Sequence, residues 1–190
     1  MTAKELIQNR RTIRKFLQKP IPAERLRAYI DCARLAPSGA NLQPLRYVLV
    51  RTPEMVEKLF PLVRWAAYLA PDYNPKKEER PTAFIAVAAE LSVRKSGYEA
   101  DMGAAVENMI LAAEEDGIGS CWMGAIDYEK ISTLLELSDS QKLLCVVAMG
   151  YKDEQPEEVC VAEGDIKYYL KDGTLCVPKR SMDEVLLKEL

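Results

Sequence analysis

Residues 98–124 read YEADMGAAVENMILAAEEDGIGSCWMG, and the fold turns on how that stretch is parsed. Met102, Val106, Met109, Ile110 and Ala113 recur at helical spacing and predict one long helix over 98–116, closed by Gly117. A strand near 120–123 follows. Gly117 and Gly119 invite comparison with a dinucleotide-binding fingerprint. However, Cys121 and Trp122 stand where a third glycine belongs, and the glycines end a helix instead of following a strand. Five small residues, Gly103, Ala104, Ala105, Ala112 and Ala113, keep the helix slim, which suits a central or subunit-facing position.

Outward from this helix, apolar spacing predicts helices over 2–9, from Leu26 toward Pro37, from Pro53 through Leu59, over 128–135 and over 182–188. Strands are expected over 46–51, 84–89 and 143–150. The stretch 61–81 mixes Trp65, Tyr68 and Tyr73 with prolines and charges and reads as an irregular excursion. The order of elements is not a strict βαβ alternation, so the fold class expected is α+β. There are no internal repeats, and 190 residues suit one domain over 1–190, able to bury roughly 70% of the unfolded surface.

Composition narrows the function. The chain is 48% hydrophobic and 29% charged with net charge −3, which argues against a general nucleic-acid binder. Its apolar runs are too short to span a bilayer, and residues 1–5 lack a signal-peptide core, so a cytoplasmic protein without membrane contact is expected. Five cysteines without a Cys-x-x-Cys pair read as reduced thiols. Histidine is absent, which removes Ser-His-Asp and Cys-His catalysis and His-bearing zinc sites together. An enzyme built this way would lean on a redox cofactor that brings its own reactivity.

Two short segments carry candidate binding groups. Arg10-Arg11-Thr12-Ile13-Arg14 places three guanidinium groups in five residues, and a guanidinium offers a phosphate planar, bidentate, charge-assisted hydrogen bonds. The bland reading is a solvated patch complementing the end of the first helix. Pro37-Ser38-Gly39-Ala40-Asn41-Leu42-Gln43-Pro44 is a turn whose amides can both donate and accept, matching the polar edge of a flat ring. As an ordinary helix-to-strand turn it would carry the same residues. Together the segments suggest a nucleotide-like ligand with a phosphate.

With Gly117-Ile118-Gly119-Ser120-Cys121-Trp122-Met123-Gly124 and Val177-Pro178-Lys179-Arg180-Ser181, these segments resemble, in order and spacing, the FMN-dependent nitroreductase family. The resemblance covers nearly the whole chain. It implies a mixed, largely antiparallel sheet wrapped by helices in an intertwined homodimer. It also implies noncovalent FMN that takes hydride from NADH or NADPH onto flavin N5. The electrons would pass, by a ping-pong mechanism, to a nitroaromatic, quinone or similar small electrophile.

On that resemblance Arg10 and Arg11 lie near the phosphate, and Thr12 and Arg14 near the ribityl chain or pyrimidine edge. Pro37, Ser38, Gly39, Asn41 and Gln43 contact the flavin, often from the partner subunit. Trp122, Met123 and Gly124 lie against the ring, and Lys179 and Arg180 add charge toward the phosphate. No catalytic side chain is implied. Trp122 and Met123 could equally be core filling, Lys179-Arg180 an ordinary surface pair, and Cys121 a small buried hydrophobe. Other flavin reactions on the same fold, such as enone reduction or flavin fragmentation, share these contacts, as would a non-catalytic flavin sensor. Leu45 stands where many relatives carry an aromatic residue, and 61–81 is compact for the family; both bear on the substrate pocket.

Overall fold

Strand β3 (Ala83–Glu90) is buried along almost its whole length, because it runs through the middle of the sheet with helices on both faces. The computed structural model describes residues 2–69, 73–161 and 164–190. β3 pairs antiparallel with β2 (Leu45–Val50) on one side and with the long β5 (Gln141–Lys152) on the other. β4 (Ile118–Met123) pairs antiparallel with the far side of β5. Two-residue β1 (Phe16–Leu17) pairs with the end of β5 at Tyr151 and Lys152.

The period of two divides the apolar residues between two cores. Ala83, Ile85 and Val87 of β3, with Cys145, Val147 and Met149 of β5, face helices α2 (Ala23–Arg34) and α4 (Glu99–Glu115). Phe84, Ala86, Val146 and Ala148 face the opposite way, toward Leu59 of α3 (Pro53–Leu59), Phe60, Trp65 and Ile131 of α5 (Tyr128–Leu134). Ile85 and Val87 are fully buried, and each such side chain contributes about 1.5–3 kcal/mol relative to exposure. A one-residue slip of β3 would exchange the two cores, so its register is firmly set.

The N-terminal helix α1 (Ala3–Asn9) opens with a Thr2/Glu5 capping box and delivers the chain, extended at Arg10, to the outer edge of β4. Thr12 bridges Ser120 in parallel sense, and the Ile13 N–H donates to the Ser120 carbonyl at 2.9 Å. The chain then crosses the sheet face to reach β1 on the other side of β5. Gly119 and Gly150, direct cross-strand partners, make that crossing possible. A Cβ at Gly119 would lie 2.6 Å from Ile13 Cγ1, and one at Gly150 would lie 2.8 Å from Phe16 Cβ. Gly119 of the 117–124 segment thus serves packing of the N-terminal strand, whereas Gly117 and Gly124 have open space beside them.

Long apolar segments behave as their patterns predict; polar ones do not. Among the described residues, 61–81 holds two short 3₁₀ turns, Phe60–Leu62 and Lys77–Glu79, and an isolated bridge from Val63 to Ile126, and residues 70–72 lie outside the described part. The expected helix over 182–188 is a single turn, α6 (Met182–Val185), after which Leu186, Leu187 and Leu190 are exposed. A second sheet was not legible at all: β6 (Glu157–Cys160) and β7 (Tyr169–Lys171) flank β8 (Thr174–Lys179), parallel and antiparallel respectively. Ala105 and Ala113 of α4 pack into the chain's own core against α2 and the sheet, while Gly103 has open space beside it. The slim helix is therefore explained first by contacts within the chain, and its open side is the one carrying Gly103.

Candidate functional site

The segment 10–14 is spread between two surroundings. Arg10 reaches α4, its Nε 3.7 Å from Glu107 Oε1. Arg11 turns toward the second sheet: Nη1 donates to the Arg10 carbonyl at 2.7 Å and Nη2 pairs with Glu158 of β6. It shares with Ile13 the wall of a polar cavity of about 1080 Å³ that also holds Lys152, Glu114, Glu154 and Glu158. Arg14 is 8% exposed, its backbone N–H donating to Glu154 and its guanidinium carbon 4.3 Å from the centre of the Tyr168 ring. Tyr68, from the excursion after α3, meets Tyr168 with ring centres 5.0 Å apart. Among the described residues, Nε of both Arg11 and Arg14 is buried with no hydrogen-bond partner.

Pairing of Thr12 with Ser120 sets this segment beside β4, so the structure brings the arginines and Trp122 to one sheet edge. Trp122 is 39% exposed between buried Cys121 and Met123, and Gly124 is exposed at the strand end. Burial pushes the Cys121 thiol up to about 11, with Arg14 opposing, and burial pushes Cys145 up to about 12. Such thiols stay protonated at neutral pH and act as packing groups. Lys179 ends β8 and Arg180 follows it, both exposed, with Arg180 Nη1 3.3 Å from Glu184. No hydrogen bond or ion pair joins them to Arg10 or Arg14 among the described residues.

The 37–44 loop sits elsewhere. It closes α2 and feeds β2, beside a mostly apolar hollow of about 360 Å³ lined by Ile30, Pro37, Ser38, Gln43, Tyr47 and Asp101. Ala40, Asn41 and Gln43 all take left-handed backbone conformations, with φ of 51°, 55° and 52°. Three such non-glycine residues in four positions persist only where the surroundings over-determine them. Ser38 Oγ donates to Asp101 Oδ2 at 2.6 Å, Gly39 N–H to Asp101 Oδ1 at 3.1 Å, and Gln43 N–H to Ser38 Oγ at 2.9 Å. The Gln43 side-chain amide donates to Asn41 O and Oδ1, both at 3.1 Å.

Within one chain the loop and the arginines occupy opposite corners of the sheet. Four strand spacings separate the 10–14 segment from β2, about 19 Å. Their rows on β5, Met149 and Lys142, lie a further ~23 Å apart along the strand. Sequence reasoning missed Asp101, Arg94, Glu154, Glu158 and the Tyr68–Tyr168 pair. An acidic residue in the first turn of a helix is ordinary, and aromatic residues in an irregular stretch carry no positional signal.

The antiparallel sheet, the helices on both faces and the arginine-lined edge define an α+β domain of nitroreductase type. The profile described as "Nitroreductase family" matches residues 7–151, and the chain belongs to that family. A protein of Archaeoglobus fulgidus, provisionally named NADH dehydrogenase/NAD(P)H nitroreductase, is 32% identical over 159 residues, 80% of this chain and 86% of the relative. The crystal structure of a similarly named protein of Bacteroides thetaiotaomicron has a TM-score of 0.70 at 26% identity, covering 85% of this chain and 93% of its own. A provisionally named nitroreductase of Desulfovibrio desulfuricans, solved in complex with FMN, shares the fold at TM-score 0.75 and 22% identity. That match covers 100% of this chain and 98% of the other.

Proposed function

We propose that this protein is an FMN-dependent oxidoreductase whose active site forms between two copies of the chain. The observation that carries the reading is Arg14, a buried guanidinium with an unpartnered Nε beside β4. Leaving a buried donor unsatisfied costs about 1–3 kcal/mol, more for a charged group, so the site is suited to an acceptor-rich ligand. A flavin phosphate, ribityl chain and pyrimidine edge offer such acceptors. When bound, FMN supplies the redox chemistry, taking hydride from NADH or NADPH and passing electrons to a nitroaromatic, quinone or similar small electrophile.

In this reading the chain binds and orients. Arg10, Arg11 and Thr12 hold the phosphate and ribityl chain, joined by Lys179 and Arg180. Arg14 sets positive charge at the pyrimidine edge, while Trp122, Met123 and Gly124 pack against the ring. Pro37, Ser38, Gly39, Asn41 and Gln43 come from the second copy. The separation of loop and arginines in one chain supports this division, because two copies related by a two-fold can bring unlike corners together. No histidine is needed, since the protein supplies hydrogen bonds and charge rather than a titrating base.

The test is direct. Protein reconstituted with FMN should remain yellow through gel filtration, release FMN on denaturation, and bleach with NADH or NADPH under anaerobic conditions. Recovery of FAD from the protein as purified, or of no flavin after saturating reconstitution with FMN, would overturn the assignment.

A further inference from the structure

Asp101 is 6% exposed, and every polar contact it makes is directed at one loop or at the residue that covers it. Besides Ser38 Oγ and Gly39 N–H, it accepts from Arg94 Nη1 at 3.2 Å. Arg94 in turn lies against the loop's glycine, since a Cβ at Gly39 would stand 2.8 Å from Nη1. Its Nε donates to the Ser96 carbonyl at 2.9 Å, which fixes the guanidinium from the other side. A buried carboxylate on α4, an arginine lid and the Ser38 hydroxyl therefore form one connected clamp on residues 38–43. Charge-assisted hydrogen bonds of this kind are among the stronger ones, and they hold a backbone that is otherwise disfavoured at three positions.

The direction of the clamp matters as much as its strength. Gln43 and Asn41 spend one donor group on each other, and among the described hydrogen bonds the Gln43 side-chain carbonyl and the Asn41 side-chain NH₂ are unused. Both residues are exposed. The loop thus presents one acceptor and one donor outward from a conformation that the residues themselves would not keep.

We propose that Asp101, covered by Arg94, is the positioning residue of this amide loop, fixing the Asn41 and Gln43 side chains for the flavin. The inference rests on the flavin reading above and adds to it a residue that does not touch the cofactor. Preorganisation of this kind lowers the ordering cost of binding.

Two measurements on wild type, Asp101→Asn and Arg94→Gln test it. In flavin-free protein, hydrogen exchange of the Gly39 and Gln43 amides should be protected in wild type and quicken about tenfold or more in Asp101→Asn, while β3 and β5 amides keep their protection. FMN affinity, read by fluorescence titration, should fall about tenfold or more in Asp101→Asn and less in Arg94→Gln, with an altered long-wavelength band of the bound flavin. If wild type binds FMN and Asp101→Asn binds it equally well with an unchanged spectrum, the positioning role is overturned. Unchanged loop exchange overturns the clamp itself. Wild type with a protected loop and no FMN affinity overturns the flavin reading, and the assignment of Asp101 to flavin positioning falls with it. Should Asp101→Asn fail to fold, Arg94→Gln gives the same readings on a more exposed partner.

Discussion

The arginine corner and the amide corner are held in place by different means. Residues 10–14 have no helix or turn of their own to shape them; their position comes from the Thr12–Ser120 bridge and from Ile13 and Phe16 seated over Gly119 and Gly150. The 37–44 loop is shaped by its own hydrogen bonds and by one buried carboxylate. One corner is placed by backbone pairing and packing against distant strands, the other by a polar clamp across a single helix. Packing tolerates little change in volume, whereas a clamp tolerates shape change but not loss of charge.

The contrast is broken most severely at Gly119. Replacement by valine should cost about 3 kcal/mol in urea unfolding, because the new side chain meets Ile13 and the crossing chain cannot yield. Ile13→Ala should cost about 2–5 kcal/mol alone, yet pairing it with Gly119→Ala should cost clearly less than the sum of the two single changes. Strict additivity would mean that the two residues do not meet.

Next in size is flavin affinity. Arg14→Ala should weaken FMN binding by about 1.5–3 kcal/mol, ten- to hundredfold in dissociation constant. The same variant sharpens the comparison when mixed with Asn41→Ala. If the corners belong to different copies, unfolding and refolding the two impaired variants together should restore about one quarter of wild-type activity through mixed dimers. No restoration would place both corners in one chain's site.

The amide corner should also be sensitive to acid. Burial alone would raise the Asp101 pKa, but the Ser38 hydroxyl, the Gly39 amide and Arg94 outweigh it and hold the carboxyl below its ordinary value. Its contribution to stability is therefore complete above the unfolded value near 3.9 and fades as pH falls through the lower folded value. Urea midpoints taken from about pH 5 down to about pH 3 should fall more steeply for wild type than for Asp101→Asn. Parallel curves would deny the clamp its charge. Smallest is Arg180→Ala: its exposed pair with Glu184 should leave stability within about 0.5 kcal/mol. A tenfold loss of FMN affinity in that variant would show that the C-terminal strand reaches the phosphate when ligand is present.

How much of this could be read beforehand follows the same division. The buried strands β3 and β5 and the helix α4 lie close to their expected bounds, because apolar periodicity is a local property of the chain. The second sheet escaped notice because Glu157-Glu158-Val159-Cys160 has no apolar alternation and owes its strand form to pairing with β8. The Arg and amide segments stood out by residue type. Their separation across the sheet did not, since it depends on strand order. Asp101 looked like any acid in a first helical turn until its partners, more than sixty residues away in Ser38 and Gly39, were in place. The small residues of α4 had a further lesson: Ala105 and Ala113 are small because α2 and the sheet crowd them from within the chain.

The glycine notch also dictates when the arginine corner can exist. Ile13 and Gly119 are roughly a hundred residues apart, and Phe16 finds its partner strand only at Lys152. Contacts of such long sequence separation close slowly, since the intervening chain must be brought together before they reward it. On the ribosome residues 10–16 would wait for β5, the last strand of the main sheet, leaving Arg10, Arg11 and Arg14 without fixed positions until it is made. Topology thus predicts an order: the N-terminal segment should lock over Gly119 and Gly150 only after β4 and β5 have paired, and the arginines should take fixed positions no earlier.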